Sequence, residues 1–477
     1  MQRVFFPIIL VLVCLSFHSH AQQAAGNTYT LKQCIETGIA NNLDVQQRGL
    51  QMEASEVNWK QSRLNRLPDL NGSVGQGINQ GRSIDPFTNG YINQQINVAS
   101  YSLSSGVVLF NGLAISSNIK QNAYAFEASK MDWQQAKDNL TINIILAYLQ
   151  VLSNEDQLVQ SESQQALTQK QVQRLDILNN DGAIKPSDLY DLRGQLSNDQ
   201  LLVISNRNAL ESAKVNLCQL MNILYDKEMK LERIDPGTFS LGYDGTPGQV
   251  YQKALSQFAL IKAAELKTKS AESAVKVARG QLFPVLSLNG SANSNYSSAA
   301  MQSILINTTA IPTADYVLVN STPSPVIHLQ NNYQSEKISY SRQLNNNIFT
   351  SVSLNLSIPI FNSLQARNKI KLARIDARNY SLIEKTAKTQ LQQNVERAYI
   401  NMLTAFDRYK TLLDQVSSYT QSFRAAEIRF NEGVGNPIDY LTAKNNLDLA
   451  NSNLIIARYD YVLKTKILDY YQGKASW

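Results

Sequence analysis

The chain has 477 residues, with 44 Lys and Arg against 38 Asp and Glu, and its net charge of +6 is spread along the sequence without a basic block, which excludes nucleic acid as a partner. Of its three histidines only His328 lies beyond residue 21, and no Gly-rich phosphate loop follows a strand. His-based metal centres and most nucleophilic triads are therefore excluded, and neither catalysis nor a cofactor has a positive signal.

Met1-Gln2-Arg3, the apolar run Phe5 to Phe17 and the small residues around Ser19-His20-Ala21 read as a signal peptide over 1–21, with a mature chain from Gln22. Cys14 follows Val13, which is not the small residue that lipoprotein processing wants. Past Ala21 no stretch approaches the ~18 consecutive apolar residues of a spanning helix, so any membrane crossing must use strands. Cys34 and Cys218 are too few for a disulfide framework and read as two buried thiols, with one bond between them as the alternative.

A duplication organises the rest. Phe110-Asn111-Gly112 recurs as Phe361-Asn362-Ser363, Ala147-Tyr148 as Ala398-Tyr399, and Gly182, Pro186 and Asp188 as Gly433, Pro437 and Asp439, always 251 positions apart. Upstream, the segment ending at Pro68 matches the one ending at Pro284 at an offset of 216. The 35-residue difference falls mainly in 297–347, where Pro312, Pro323, Pro325 and many Ser, Thr and Asn residues read as a long exposed loop. The expected order is a first repeat over 22–222, a connector over 223–248 containing Pro236-Gly237 and Pro247-Gly248, and a second repeat over 249–477.

Each repeat is expected to run helix, strand, loop, strand, long helix, turn, helix. Strands are placed at about 69–80 and 99–110 in the first copy, and at about 285–296 and 347–361 in the second, from period-two alternation. In the clearest, Val352, Leu354, Leu356 and Ile358 alternate with Ser351, Ser353, Asn355 and Ser357. A soluble sandwich would alternate likewise, but a secreted chain with a Ser/Asn face fits a water-filled lumen. Four strands cannot close a barrel, and an open edge in lipid costs several kcal/mol per unsatisfied backbone group, so copies must share one wall.

Helical hairpins are placed at about 113–222 and 363–472. Neither Gly nor Pro interrupts 113–179 or 363–432, and each run allows a helix roughly 100 Å long at about 1.5 Å per residue. Val395, Tyr399, Met402, Phe406, Tyr409, Leu413, Val416 and Phe423 step by four and three as a heptad seam, with Thr420 in the remaining slot. Leu189, Leu192, Leu196, Val203, Leu210, Ala213 and Leu217 form a seam in the first hairpin; Ala443, Leu447, Ala450, Leu454, Ala457 and Tyr461 form one after the second turn. A soluble periplasmic helical-hairpin adaptor or scaffold would explain the seams, but not the strands.

In this duplicated arrangement of strand pairs and long helical hairpins, the chain resembles the TolC-like outer-membrane efflux protein family over essentially all of its mature length. The resemblance implies a mainly α protein with a transmembrane β part: a trimeric 12-stranded β-barrel, four strands per chain, continuous with a long α-helical coiled-coil barrel. It implies a passive exit duct in the Gram-negative outer membrane, reaching into the periplasm and serving a tripartite efflux or type I secretion system. The partners implied are two further copies, a periplasmic adaptor (membrane fusion) protein, an inner-membrane pump of RND or ABC type, and outer-membrane lipid.

In both turns Gly stops the incoming helix and Pro restarts the next, leaving Asp188 and Asp439 in a first helical turn. There a carboxylate complements the helix dipole by up to about 1 kcal/mol, which suffices to explain it. The resemblance offers a second role: the turns form the periplasmic mouth and Asp439 makes a ring around the pore. Ser187 and Asp188 then match one side of a latch whose arginine is replaced here by Gly435; Phe430 stands in place of a tyrosine, and Thr442 in place of a second ring carboxylate. Adaptor docking is implied at Gly182, Ile184, Gly433 and Val434.

Overall fold

The computed structural model describes residues 28–84, 89–93, 95–233, 243 and 245–473. The expected signal peptide, Cys14 and Pro236-Gly237 lie outside the described residues. In chain order the elements are β1 (Thr28–Tyr29), α1 (Leu31–Asn41), α2 (Leu43–Leu64), β2 (Asn71–Asn79), β3 (Arg82–Ile84), β4 (Tyr91–Asn93), β5 (Ile96–Phe110), α3 (Ala114–Asn180) and α4 (Pro186–Met221). They continue with β6 (Lys230–Leu231), α5 (Pro247–Gln257), α6 (Ala259–Gly280), β7 (Val285–Ser297), β8 (Met301–Val319), β9 (Thr322–Lys337), α7 (Tyr340–Asn346), β10 (Phe349–Ser357), α8 (Gln365–Asn431) and α9 (Pro437–Tyr471).

The long helices reproduce the duplication. Both ends of α3 and α8 are displaced by 251 positions, and both ends of α2 and α6 by 216. Local signals set the boundaries. Thr30 with Gln33, and Thr246 with Gln249, are reciprocal capping boxes that start α1 and α5. Pro247, expected in the connector, is instead the first residue of α5, where its missing N–H costs nothing.

The chain forms two compact units, one containing residues 49–132 and 259–388, the other the remaining described residues. The first holds an antiparallel sheet in the order β10-β7-β5-β2, so β10 and β2 are its edges. Its register sorts the side chains onto two faces. One face carries Val74, Ile78, Leu103, Val107, Leu286, Leu288, Val352, Leu354 and Leu356; the other carries Ser73, Ser102, Ser104, Ser287, Asn289, Ser291, Ser351, Ser353 and Asn355. In the same unit Gly280 lies where a Cβ would come within 2.6 Å of the Ala114 Cβ, so the end of α6 sits close against the start of α3. Ser270 on α6 donates to the Gln121 carbonyl, and Lys267 pairs with Asp132 at 2.8 Å.

Residues 297–347 are not the loop that the sequence suggests. β8 and β9 pair antiparallel from Met301↔Lys337 to Val319↔Thr322, and α7 follows. Both strands of a two-stranded ribbon are edges, so Pro312, Pro323 and Pro325 can be accommodated without breaking a central ladder. The Asn and Thr residues that read as turn formers bond across the ribbon: Asn332 donates to Asn307 at 2.9 Å, and Thr308 to Asn331 at 2.7 Å. Buried Gln343 on α7 fixes the base, accepting from the Ser297 N–H at 2.9 Å and donating to the Ile338 carbonyl at 2.8 Å.

The second unit contains α1, α4, α5, α9 and the parts of α3 and α8 from residues 133 and 389 onward. Its main core gathers Cys34, Ile144, Tyr148, Leu152, Leu217, Cys218, Met221 and Val462. Tyr148 donates to the Glu232 carbonyl at 2.6 Å and to that of Tyr29 at 3.1 Å, tying α3 to the parallel β1–β6 pair. Cys34 and Cys218 are free, buried thiols, and burial pushes Cys34 up to about 12.

The α8 seam keeps one heptad position of the expected pattern and shifts the other by one residue. Val395 and Met402 are buried as expected, whereas Ala398, Ala405 and Leu412 are buried in place of Tyr399, Phe406 and Leu413. Small Ala398 and Ala405 permit close backbone approach, and the aromatic rings flank the seam: Phe406 and Tyr409 lie 5.4 and 6.2 Å from Tyr461 on α9.

Candidate functional site

The candidate site is the pair of helix turns, α3–α4 and α8–α9, both in the second unit. Each incoming helix ends on a glycine in the left-handed region, Gly182 at φ +70° and Gly433 at φ +75°, a conformation costly for any residue with a Cβ. Pro186 and Pro437 then open α4 and α9. The Asn436 side chain accepts from the Ile438 N–H at 3.0 Å, capping α9, whereas Lys185 caps α4 with no side-chain bond.

Beneath the turns an apolar cluster of Val172, Leu175, Leu189, Leu192, Phe430 and Tyr440 joins the two hairpins. Tyr440 stacks on Phe430 with ring centroids 4.5 Å apart and interplanar angle 18°. Phe430 thus serves as a buried packing group, with no hydroxyl offered to a latch.

Gly435 is fixed by space rather than by φ. Its N–H donates to the Arg429 carbonyl at 2.9 Å, and a Cβ there would lie 2.8 Å from the Phe430 nitrogen and 2.9 Å from the Arg429 carbonyl carbon. No arginine can occupy this position without moving the turn. Ser187 donates to Asp188 at 3.2 Å, and Asp439 and Thr442 are exposed. Among the described residues no bond joins Ser187 or Asp188 to Asp439 or Thr442. Ile184 packs on the apolar cluster beneath the turns, while Val434 in the second turn is 78 % exposed and Ile438 at the start of α9 is 63 % exposed.

Two ties between the hairpins were not foreseen from the sequence. Arg174 on α3 donates through both terminal nitrogens to Asn431, to its side chain and to its carbonyl. Farther from the turn, Lys444 on α9 is 1 % exposed, and its Nζ lies 3.2 Å from Asp199 Oδ2 on α4 and 2.7 Å from Asp448 Oδ2. Thr168 on α3 and Gln195 also donate to Asp199. Burial raises the Asp448 carboxyl above its ordinary value, with the Lys444 contacts opposing. One signal was available: Asp199 occupies the seam slot between Leu196 and Val203, where a carboxylate requires a buried partner. Which partner, 245 residues away, was not readable.

No described helix is long and apolar enough to cross a membrane, and no three His, Cys, Asp or Glu among the described residues group as metal ligands. A family model described as outer membrane efflux protein matches residues 34–222 and 250–469. Outer membrane protein TolC of Salmonella enteritidis is 21 % identical over 471 residues, spanning 98 % of this chain and 85 % of the relative. Among solved structures, a membrane protein from Pseudomonas aeruginosa superposes with a TM-score of 0.73 at 16 % identity, covering 93 % of this chain and 90 % of that one. The outer membrane protein VceC from Vibrio cholerae superposes with a TM-score of 0.73 at 11 % identity, covering 93 % and 96 %.

Proposed function

The chain belongs to the outer membrane efflux protein family, and from that premise we propose that three copies close one passive duct whose barrel wall is the β10-β7-β5-β2 sheet. It is an efflux duct of the Gram-negative outer membrane reaching into the periplasm, and not a soluble adaptor. The observation that carries the proposal is the sheet itself: one face mainly apolar, the other mainly Ser and Asn, and both edge strands open within one chain. In hydrocarbon the edge N–H and C=O groups need partners, and β2 of the next copy can supply them to β10.

The helices support the same assembly. On α2, Leu50, Val57 and Leu64 recur every seven residues and are exposed, as are Leu372, Ile375 and Leu382 on α8. By the duplication, α2 corresponds to α6 and the start of α8 to the start of α3, and α6 lies against α3 within one chain. An equivalent seam between α2 of one copy and α8 of the next would be heterologous and ring-closing.

We place the periplasmic mouth at the turns, with Asp439, Asp188, Ser187 and Thr442 at the constriction. The exposed Val434 and Ile438, with Gly182, Ile184 and Gly433, form the surface for an adaptor that links the duct to an inner-membrane pump. Arg174–Asn431 and Lys444–Asp199 hold the hairpins together where the arginine latch cannot fit. No catalytic step is assigned to the chain. The test is single-channel recording of purified oligomers: a large steady conductance is expected, with block by multivalent cations weakened in Asp439→Ala. Absence of conductance defeats the duct, and unchanged block leaves Asp439 as a helix-dipole carboxylate.

A further inference from the structure

The four barrel strands contain no Asp, Glu, Lys or Arg. Their water face is built mainly from hydroxyls, amides and glycine, with Val98, Val108, Val285 and Phe349 among them, and carries no formal charge, so it passes either sign of charge alike. One carboxylate joins this face from outside the strands. Asp69, two residues before β2, extends the β2–β5 register: its N–H donates to the Gly106 carbonyl at 3.1 Å, and the Gly106 N–H donates back to Asp69 Oδ1 at 2.6 Å. Strand alternation puts residue 69 on the same face as Asn71 and Ser73.

The carboxylate is held in place rather than free to swing. Asn71 donates to Oδ2 at 3.1 Å, and Ser105 donates to the Asp69 carbonyl at 2.6 Å. A Cβ at Gly106 would crowd Asn289 Oδ1 at 3.0 Å but would meet Asp69 Oδ1 only in ordinary contact at 3.5 Å. A carboxylate has about four acceptor sites, and donors among the described residues occupy two of them, so Asp69 keeps acceptor capacity towards water and passing ions. The duplication supplies no second carboxylate, because its counterpart in the other repeat, displaced by 216, is Val285.

We propose that Asp69 is the charge-selecting residue of the barrel: one carboxylate per copy, at the helix end of a strand face that carries no charge of its own, favouring cations and disfavouring anions. The inference rests on the reading of the Ser/Asn face as the lumen wall. It identifies a selectivity element in the sheet, separate from the turns of the second unit.

The test reads potential locally. Ser104→Cys places a thiol on the same face, diagonally across the ladder from residue 69, roughly 7–8 Å away. Its modification rates by a cationic and an anionic thiosulfonate of equal size are compared in the open channel, with buried Cys34 and Cys218 as slow internal controls. At that separation in water-like surroundings, Asp69→Asn is expected to lower the cation-to-anion rate ratio about fourfold at 10 mM salt and about twofold at 0.1 M. Asp69→Glu must keep the ratio. Asp69→Ser, which keeps an acceptor for the Gly106 N–H, must lower it and serves if Asp69→Asn fails to assemble. A conducting channel whose ratio is indifferent to Asp69→Asn or Asp69→Ser overturns the proposal while leaving the duct intact. Absence of conductance in the parent protein overturns both.

Discussion

Replacing Lys444 with Met would leave Asp199 and Asp448 facing each other with no cation between them, in a site where the lysine is 1 % exposed and Asp199 6 %. Removing one partner of a buried ion pair costs about 3–5 kcal/mol, because the stranded charge keeps its desolvation penalty and loses its compensation. Here two carboxylates are stranded, although Asp448 is 20 % exposed and its raised carboxyl can take up a proton, which places the expected cost near the lower bound. The loss should appear as local opening of α4 and α9 around residues 195–203 and 440–450. Amide hydrogen exchange of the detergent-solubilised protein at pH 7 reads this directly, and about 3 kcal/mol corresponds to exchange roughly 100-fold faster. Adding Asp199→Asn and Asp448→Asn should recover part of the protection, since a buried amide bears a smaller desolvation cost than a stranded carboxylate. Exchange in Lys444→Met within twofold of the parent would refute the claim that this pair ties the hairpins.

Two further outcomes concern the same region. Gly435→Ala should cost about 1–3 kcal/mol, because the new Cβ would fall 2.8 Å from a backbone nitrogen and the turn must shift; limited proteolysis should cut 431–436 sooner than in Gly194→Ala on α4, whose added Cβ meets nothing within 4 Å. Asp448 has a folded-state value raised by burial above the ordinary 3.8. The stability it contributes is therefore present below that value and is lost as pH rises through the raised one. Asp448→Asn should remove this component, so the difference in opening free energy between parent and variant, followed by exchange from pH 4 to 7, should slope over that window; a flat difference would count against burial as the dominant effect.

Much of the architecture was legible in one dimension because its determinants are local or periodic. Long helices need only an uninterrupted run, and their ends are written in Gly182, Pro186, Gly433 and Pro437. The face of each strand follows from alternation, and a constant spacing between repeats follows when neither helix can accept an insertion. Two local signals misled. Asn, Thr and Pro in 297–347 read as a loop, because edge-strand tolerance of proline and cross-strand amide bonding depend on a partner strand. On α8 a wide apolar stripe left its heptad phase ambiguous by one residue, until packing buried Ala398 and Ala405 and left Tyr399 and Phe406 at the rim.

The candidate turn residues were named from sequence, but their roles depended on distances. That Gly435 has no room for a side chain depends on where the Arg429 and Phe430 backbone folds back. That Lys444 meets Asp199 depends on two helices being set side by side, 245 residues apart along the chain. By itself the sequence determined the long helices, the duplication and the alternation of the four barrel strands, since propensity, periodicity and capping act within a few residues. Only the tertiary structure decided which charges are buried together and that Asp69 extends the water face, because burial and register are properties of neighbours that the chain brings in from afar.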